Sequence, residues 1–463
     1  MNEHKMSIPK LEAQARACRD VLQEAMEAVF IHKRPADRTL NTFLRNNKQY
    51  GARDRRLLSE AVFAVFRWWG ALRKLFDKEE LQIMETEVPE LSYNGAAALL
   101  LAAMVMEKRE LPDVAVIWMR ELGLHREEIN DLVVTGKSAD GLDGWRILGM
   151  VRGALRRKPV KSLKLTPFDL VPEWFPKYLP PDVKPERLAQ WFQRRSPMWL
   201  RVQNGADPVS LAAELKDKYQ LNVKNNPDTP PNALNIARPQ VNLYGIDEYR
   251  NGMFEVQDLA SQAIGLVCAP QPGQRWWDAC AGAGGKSLQL ADLMNRKGTV
   301  VATDVRSYKL DDLRTRARRA GFPNIECREW NGKALRAKHQ ANYDGVLVDA
   351  PCSCSGTWRR NPDARWSTDE SEVAEISKLQ LEILTHAAAG VKPDGVLVYA
   401  TCSICEPENT GVVEKFLAEN TEFELEPFTN PLNGEPCSGM LHIYPWDGDC
   451  DAMFAARMRR KNQ

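Results

Sequence analysis

The chain has 463 residues, 44% of them hydrophobic and 27% charged. At about 100 to 200 residues per domain this leaves room for several domains and excludes a mini-protein, a fibrous chain or a disordered tail. The 63 Lys and Arg balance 62 Asp and Glu, for a net charge of +1, so any polyanion has to be met by local basic patches.

Met1 to Phe30 mix charged and apolar residues with no uninterrupted apolar run. The longest such run, Ala96 to Met106, is too short to cross a bilayer and reads as a buried helix. A cytoplasmic protein without a membrane partner is expected. From Ile8 to about Leu122 apolar positions recur at helical spacing, as in Leu57, Leu58, Ala61, Val62, Val65 and Phe66. They predict an all-α amino-terminal domain over residues 1–144. Residues 145–180 read as a basic, Pro-rich linker, with Arg152, Arg156, Arg157, Lys158, Lys161 and Lys164 ahead of Leu179-Pro180-Pro181. Residues 181–250 predict a small α+β module: strand Met198 to Val202, helix Pro208 to Tyr219 and strand Gln220 to Asn225.

Over residues 251–463 the pattern becomes regular. Strands Arg275 to Cys280, Thr299 to Asp304, Ile325 to Trp330, Tyr343 to Asp349 and Gly395 to Cys402 alternate with helices Ser287 to Asn295, Lys309 to Ala320 and Glu372 to Gly390. Such alternation implies a Rossmann-like α/β domain, a parallel sheet covered on both faces with its ligand at the carboxyl ends of the strands.

The chemistry-bearing loops fall at those ends. Asp278-Ala279-Cys280-Ala281-Gly282-Ala283-Gly284-Gly285-Lys286 joins a strand to a helix, where glycine permits close backbone approach and the helix amides favour polar ligand groups. It is no phosphate-binding P-loop, because the position that requires Gly is Cys280. Asp304 ends the next strand, placed to accept hydrogen bonds from a ribose diol or to cap the following helix. Two further strand ends each present a cysteine, in Asp349-Ala350-Pro351-Cys352-Ser353-Cys354 and in Thr401-Cys402-Ser403-Ile404-Cys405.

The Asp-Ala-Pro-Cys and Thr-Cys-Ser sequences, the Gly-Gly-Lys loop and the upstream Phe254 to Ser261 together resemble the Sun-type (Nop/Sun) family of RNA cytosine-5 methyltransferases, from about Met198 onward. Gly51-Ala52-Arg53-Asp54-Arg55-Arg56 resembles the NusB-like domain of the bacterial members that act on small-subunit ribosomal RNA. The resemblance implies S-adenosyl-L-methionine as cofactor, an RNA substrate, ribosomal by preference, and 5-methylcytidine as product. It also implies Cys402 as the nucleophile, Cys352 as the thiol that assists release, Asp349 at the base edge and Lys286 as a stabiliser of nearby negative charge. By the same matching Cys280, Ala281, Gly282, Ala283, Gly284, Gly285 and Lys286 wrap the cofactor, Asp304 takes the ribose and Asp349 also contacts the cofactor. Asn331 stands near the adenine, where relatives carry Asp, and Ala283 stands where many carry Pro.

Arg314, Arg316, Arg318 and Arg319 on one helix, and Arg359 and Arg360 beside Trp358 and Trp366, are read as RNA-facing patches, with pairing of the helix arginines to Asp311 and Asp312 the equal alternative. The competing readings are a tRNA cytosine-5 methyltransferase, a DNA cytosine methyltransferase, a catalytically silent RNA-binding assembly factor, and a zinc module built on Cys352, Cys354, Cys402 and Cys405. Cys-x-Cys is an unusual spacing for structural zinc, so a monomer without a metal is expected.

Overall fold

The computed structural model describes residues 6–107, 110–127, 129, 145–157, 163–226, 229–237, 239 and 241–462. The chain divides into two compact units. Met1–Lys177, Pro181–Arg195 and Trp358–Asp369 form the first, and Tyr178–Pro180, Ser196–Thr357 and Glu370–Gln463 form the second.

The first unit is helical. Its central helix, Tyr93–Met106, opens on a Ser92 cap whose Oγ accepts from the amide of Gly95 at 3.0 Å. Every residue from Ala96 to Met106 is buried, as an all-round apolar helix requires. Around it run Ile8–Phe30, Ala52–Leu72 and Ala115–Leu122. The span expected as a linker contains a further helix, Trp145–Arg156, which buries Ile147, Leu148 and Val151. Its Arg156 pairs with Glu80 at 2.5 Å, whereas Lys158 and Lys161 lie outside the described residues. Helix Pro185–Phe192, assigned from sequence to the α+β module, also belongs to this unit.

Segment Trp358–Asp369, which comes from the middle of the catalytic sequence, supplies this unit with its innermost side chains. Trp358 is fully buried against Phe175, with ring centroids 4.6 Å apart. Arg365 is also fully buried and donates to the carbonyls of Leu170 at 2.9 Å, Phe192 at 3.3 Å, and Arg67 and Trp358 at 3.4 Å. Arg359 donates to the carbonyls of Arg194 and Arg195, and the Trp366 indole donates to that of Phe66. Trp358, Arg359 and Trp366 are therefore not an RNA-facing patch. Trp358 is part of the apolar core, while Arg359 and Trp366 terminate backbone segments that would otherwise bury unpaired carbonyls.

In the second unit the small module is a four-stranded antiparallel sheet ordered β2-β3-β1-β4, with β1 Met198–Val202, β2 Asn222–Lys224, β3 Ala233–Ala237 and β4 Phe254–Val256. The larger sheet has the order β10-β14-β9-β8-β5-β6-β7, with β13 paired to β14. Its parallel centre comprises β5 Arg275–Asp278, β6 Thr299–Asp304, β7 Ile325–Glu329, β8 Tyr343–Asp349 and β9 Val391–Thr401. Antiparallel β14 Met453–Arg460 flanks β9, with β10 Phe423–Leu425 and β13 Met440–Ile443 beside it. A separate ribbon pairs β11 Phe428–Thr429 with β12 Pro436–Cys437.

Successive strand residues serve opposite faces, as the pleat dictates. Trp276, Val300 and Val398 pack with helices Leu259–Cys268 and Gly285–Leu293. Trp277, Val301, Leu397 and Tyr399 pack with Glu370–Ala388 and Thr410–Glu419. Chain order reverses between β5 and β8, which makes a topological switch point where open α/β sheets take their ligands. The Rossmann-like α/β domain expected from the alternation is the observed fold.

Helix Ser307–Arg319 uses two of its arginines internally. Arg316 pairs with the buried Glu255 at 2.9 Å, Arg319 pairs with the same carboxylate, and Arg314 pairs with Asp311 at 2.6 Å. For Arg316 and Arg319 the expected RNA patch is replaced by ion pairs to a buried carboxylate, whereas Arg314 and Arg318 are exposed.

Replacing Arg365 with Met should destabilise the helical unit by about 3 to 5 kcal/mol, because several buried carbonyls lose their donor. Limited proteolysis would register this as faster cleavage within residues 6–107.

Candidate active site

Two loops meet at the switch point. After β5 the backbone turns through Gly282 and Gly284, both at positive φ, +52° and +85°. A Cβ on Gly284 would also lie 2.3 Å from Leu313 Cγ, so neither the turn nor the packing admits another residue there. The loop is pinned from both sides. Ala281 N donates to Thr303 O at 2.8 Å, Gly282 N to Asp304 Oδ2 at 2.9 Å, and Arg316 to the carbonyl of Ala283 at 2.7 Å. Gly285 then opens the helix that carries Lys286.

Asp304 is 5% exposed, and its carboxylate also accepts from the amide and guanidinium of Arg306. Burial opposes its charge, but these donors win and hold its pKa below the ordinary value. Asn331 is exposed beyond β7 and closes a turn, its Oδ1 accepting from Lys333 N at 3.2 Å. Asp278, to which the sequence motifs assign no role, is buried at the head of the glycine turn. It accepts from Ser287 Oγ at 2.6 Å and has no partner for its second oxygen. Burial pushes its pKa up to about 7. An orphaned carboxylate oxygen beside a Gly-rich turn, with a second carboxylate at the end of the adjacent strand, suits a ligand that brings its own polar donors.

The second loop system lies beyond β8 and β9, whose register pairs Asp349 with Ala400. Cys352 and Cys402 therefore leave neighbouring strand ends together, and their Sγ atoms stand 3.3 Å apart. Lys286 reaches across to Asp349, Nζ to Oδ2 2.7 Å. Desolvation opposes the lysine charge, yet Asp349 raises its pKa. Desolvation also raises the Asp349 carboxyl, against the pull of Lys286. A hydrogen bond from Cys352 favours the Cys402 thiolate, but contact with Cys354 and desolvation push that thiol up to about 12. Cys352 is raised well above its ordinary value, by its contacts with Cys354 and Cys402 and then by burial.

Beneath the thiols lies Glu408, a buried residue that the sequence motifs do not mark out for any functional role. Its carboxylate accepts from Ser353 N at 2.8 Å, Ser353 Oγ at 2.5 Å, Ser403 Oγ at 2.7 Å and Gln380 Nε2 at 3.1 Å. Ser353 follows Cys352 and Ser403 follows Cys402, so one carboxylate fixes both cysteine loops. Gln380 also donates to Pro351 O, and Gly356 N donates to Cys402 O at 2.9 Å. At Gly356 a Cβ would stand 2.2 Å from Ala452 O and 2.8 Å from Cys402 O. The one signal in the sequence is positional: Glu408 and Asn409 sit a few residues beyond a chemistry-bearing strand end.

Replacing Glu408 with Ala should cost about 3 to 5 kcal/mol in urea denaturation, since several buried donors lose their acceptor at once. A second expectation concerns pH. The neutral carboxyl of Asp278 is the form the fold favours, so folding takes up a proton between the unfolded value of 3.8 and about 7. Stability should therefore fall as pH rises through that window. Asp278→Asn should flatten the fall, measured by denaturation at points across the window.

Residues 265–459 match the family model described as 16S rRNA methyltransferase RsmB/F. Along most of its length the chain is similar to ribosomal RNA small subunit methyltransferase B of Klebsiella pneumoniae (strain 342), 28% identical over 425 residues that cover 89% of this chain and 91% of the relative. The protein of the same name from Enterobacter sp. (strain 638) is 30% identical over 292 residues, 62% of this chain and 66% of its own. Among solved structures, PH0851 shares the fold with a TM-score of 0.74 at 24% identity, covering 98% of this chain and 100% of that one. A methyltransferase homolog protein from Pyrococcus horikoshii gives a TM-score of 0.52 at 25% identity, covering 62% and 93%. The likeness to the RsmB/F methyltransferase model spans the part of the chain that holds both the paired strand-end thiols and the glycine turn.

Proposed function

We propose that this RNA methyltransferase forms 5-methylcytidine in small-subunit ribosomal RNA through a covalent adduct between Cys402 and carbon 6 of the target cytosine. The observation that carries the reading is the meeting of two thiols 3.3 Å apart at adjacent strand ends, beside the Lys286–Asp349 pair. The substrate class rests on the names of the relatives, which are small-subunit ribosomal RNA methyltransferases.

The methyl donor is S-adenosyl-L-methionine, which supplies an electrophilic methyl group on a sulfonium. In this reading Asp278, Gly282 and Asp304 hold it, and Asp304 exchanges part of its bonding with Arg306 for the ribose hydroxyls. Carbon 5 of cytosine is too weak a nucleophile to take a methyl group unaided. Cys402 gives up its proton and adds to carbon 6, which makes carbon 5 an enamine carbon able to attack. Asp349 stands at the base edge near its ring nitrogen and, with Lys286 beside it, helps offset the charge that develops as the adduct forms. After methyl transfer Cys352, as thiolate, takes the carbon-5 proton, and the C–H electron pair re-forms the carbon 5–carbon 6 double bond as the carbon 6–sulfur bond breaks and Cys402 is expelled as thiolate. Cys352, in contact with the departing sulfur, assists this step. Lys286 keeps Asp349 in place and sets a positive charge near Cys402. The helical unit, which carries the NusB-like sequence, is assigned to holding RNA. A silent scaffold would have no use for two converging thiols or for the buried carboxylate that aligns them.

Incubated with labelled donor and RNA, Cys402→Ala should lose both methyl transfer and the covalent complex, whereas Cys352→Ala should accumulate protein–RNA adduct on a denaturing gel. Adduct trapped in Cys402→Ala would overturn the assignment of the nucleophile.

A further inference from the structure

Cys354 has no part in that chemistry, yet its thiol stands with the other two. The ligand atoms of Cys352, Cys354 and Cys402 all lie within 4.8 Å of one another. The backbone at Cys354 is left-handed, with φ +56°, a conformation rare for a side chain with a Cβ. This turn brings Cys354 back beside Cys352, and its Sγ donates to Cys352 O at 3.4 Å. None of the three is fully buried.

The Cys-x-Cys spacing argues against a four-thiolate zinc module, and the structure does separate the fourth thiol. Cys405 is buried, with its Sγ at 3.7 Å from Ser355 Oγ. Three thiols nevertheless converge. Three sulfurs each ~2.3 Å from one metal ion stand about 4 Å apart, so small side-chain rotations from the present spacing would close the set. Such a site keeps one coordination position open for water or another small ligand.

We propose that Cys352, Cys354 and Cys402 bind a single thiophilic divalent cation, Zn2+ or its surrogate Cd2+, and that occupancy withdraws Cys402 from the reaction. Three metal–sulfur bonds form and three thiol protons pass to solvent, with no change of oxidation state. The binding claim stands on the geometry alone. The inhibition claim rests on the reading of Cys402 as nucleophile.

The test uses the full chain, reduced and freed of metal with a chelator. Titration with Cd2+ should produce a sulfur-to-metal charge-transfer band that saturates at one equivalent with the intensity of three thiolates. Cys354→Ser should lose a third of that intensity and bind at least about tenfold more weakly, since even the loss of an outer hydrogen bond to a ligand costs that much. Cys327→Ser, altered outside the cluster, should match the parent chain. No band, or an unchanged band in Cys354→Ser, would overturn the site. Zn2+ should then stop methyl transfer by the parent chain, reversibly with chelator, while largely sparing Cys354→Ser. A three-thiolate band without inhibition would confirm the metal site and remove Cys402 as the nucleophile.

Discussion

Four hydrogen bonds converge on the buried carboxylate of Glu408, two from Ser353 and one each from Ser403 and Gln380. The active-site geometry depends on this point. Cys352 and Cys402 are 50 residues apart in sequence, and β-sheet register alone brings only their strand ends together. Beyond the ends of β8 and β9 the ladder no longer holds the backbone, and loops left to themselves pay entropy for any fixed arrangement. Glu408 replaces the ladder there. It satisfies the amide after one cysteine and the hydroxyl after the other, while Asn409 takes a hydrogen bond from Thr401 and gives one to Ser403 O. Tyr399 anchors the backbone of Glu408 itself.

The same economy operates on the cofactor side. Asp304 and Arg316 hold the glycine turn through its backbone, so no bulky side chain is needed to shape it. Asp278 stays buried with one oxygen unpaired, a cost that a folded protein keeps where a ligand offsets it. Lys286 and Asp349 form the bridge between the two loop systems. Each is perturbed by desolvation and steadied by the other, which keeps a cation and its carboxyl partner within reach of the thiols.

Much of this is legible in the sequence for a physical reason. Parallel strands buried on both faces read as apolar runs, and that signal bounds β6 and β8 to the residue. The glycine turn, Asp304 and the two cysteines stand out because strand ends are where such folds place ligands. Glu408 does not, because a Glu in Glu406-Pro407-Glu408-Asn409 looks like a solvated helix start, and only the three-dimensional fold reveals that it is buried. Arg316 and Arg319 mislead for the opposite reason: a run of cations looks exposed, and their partner Glu255 lies far away in sequence. Trp358, Arg359 and Trp366 mislead most, since local sequence cannot tell that a stretch within one domain folds into another.

That last feature bears on how the protein could have arisen. A domain joined end to end can be gained, lost or exchanged by a single splice between genes. The helical unit is not such a cassette, because its interior is completed by Trp358–Asp369, a stretch that starts six residues after Cys352. A splice at the boundary suggested by the basic stretch would carry away most of the helices and leave behind the tryptophan and arginine on which they close. Within this chain, drift in the helices is therefore constrained by residues that a reader of the catalytic motifs would count as part of the enzyme.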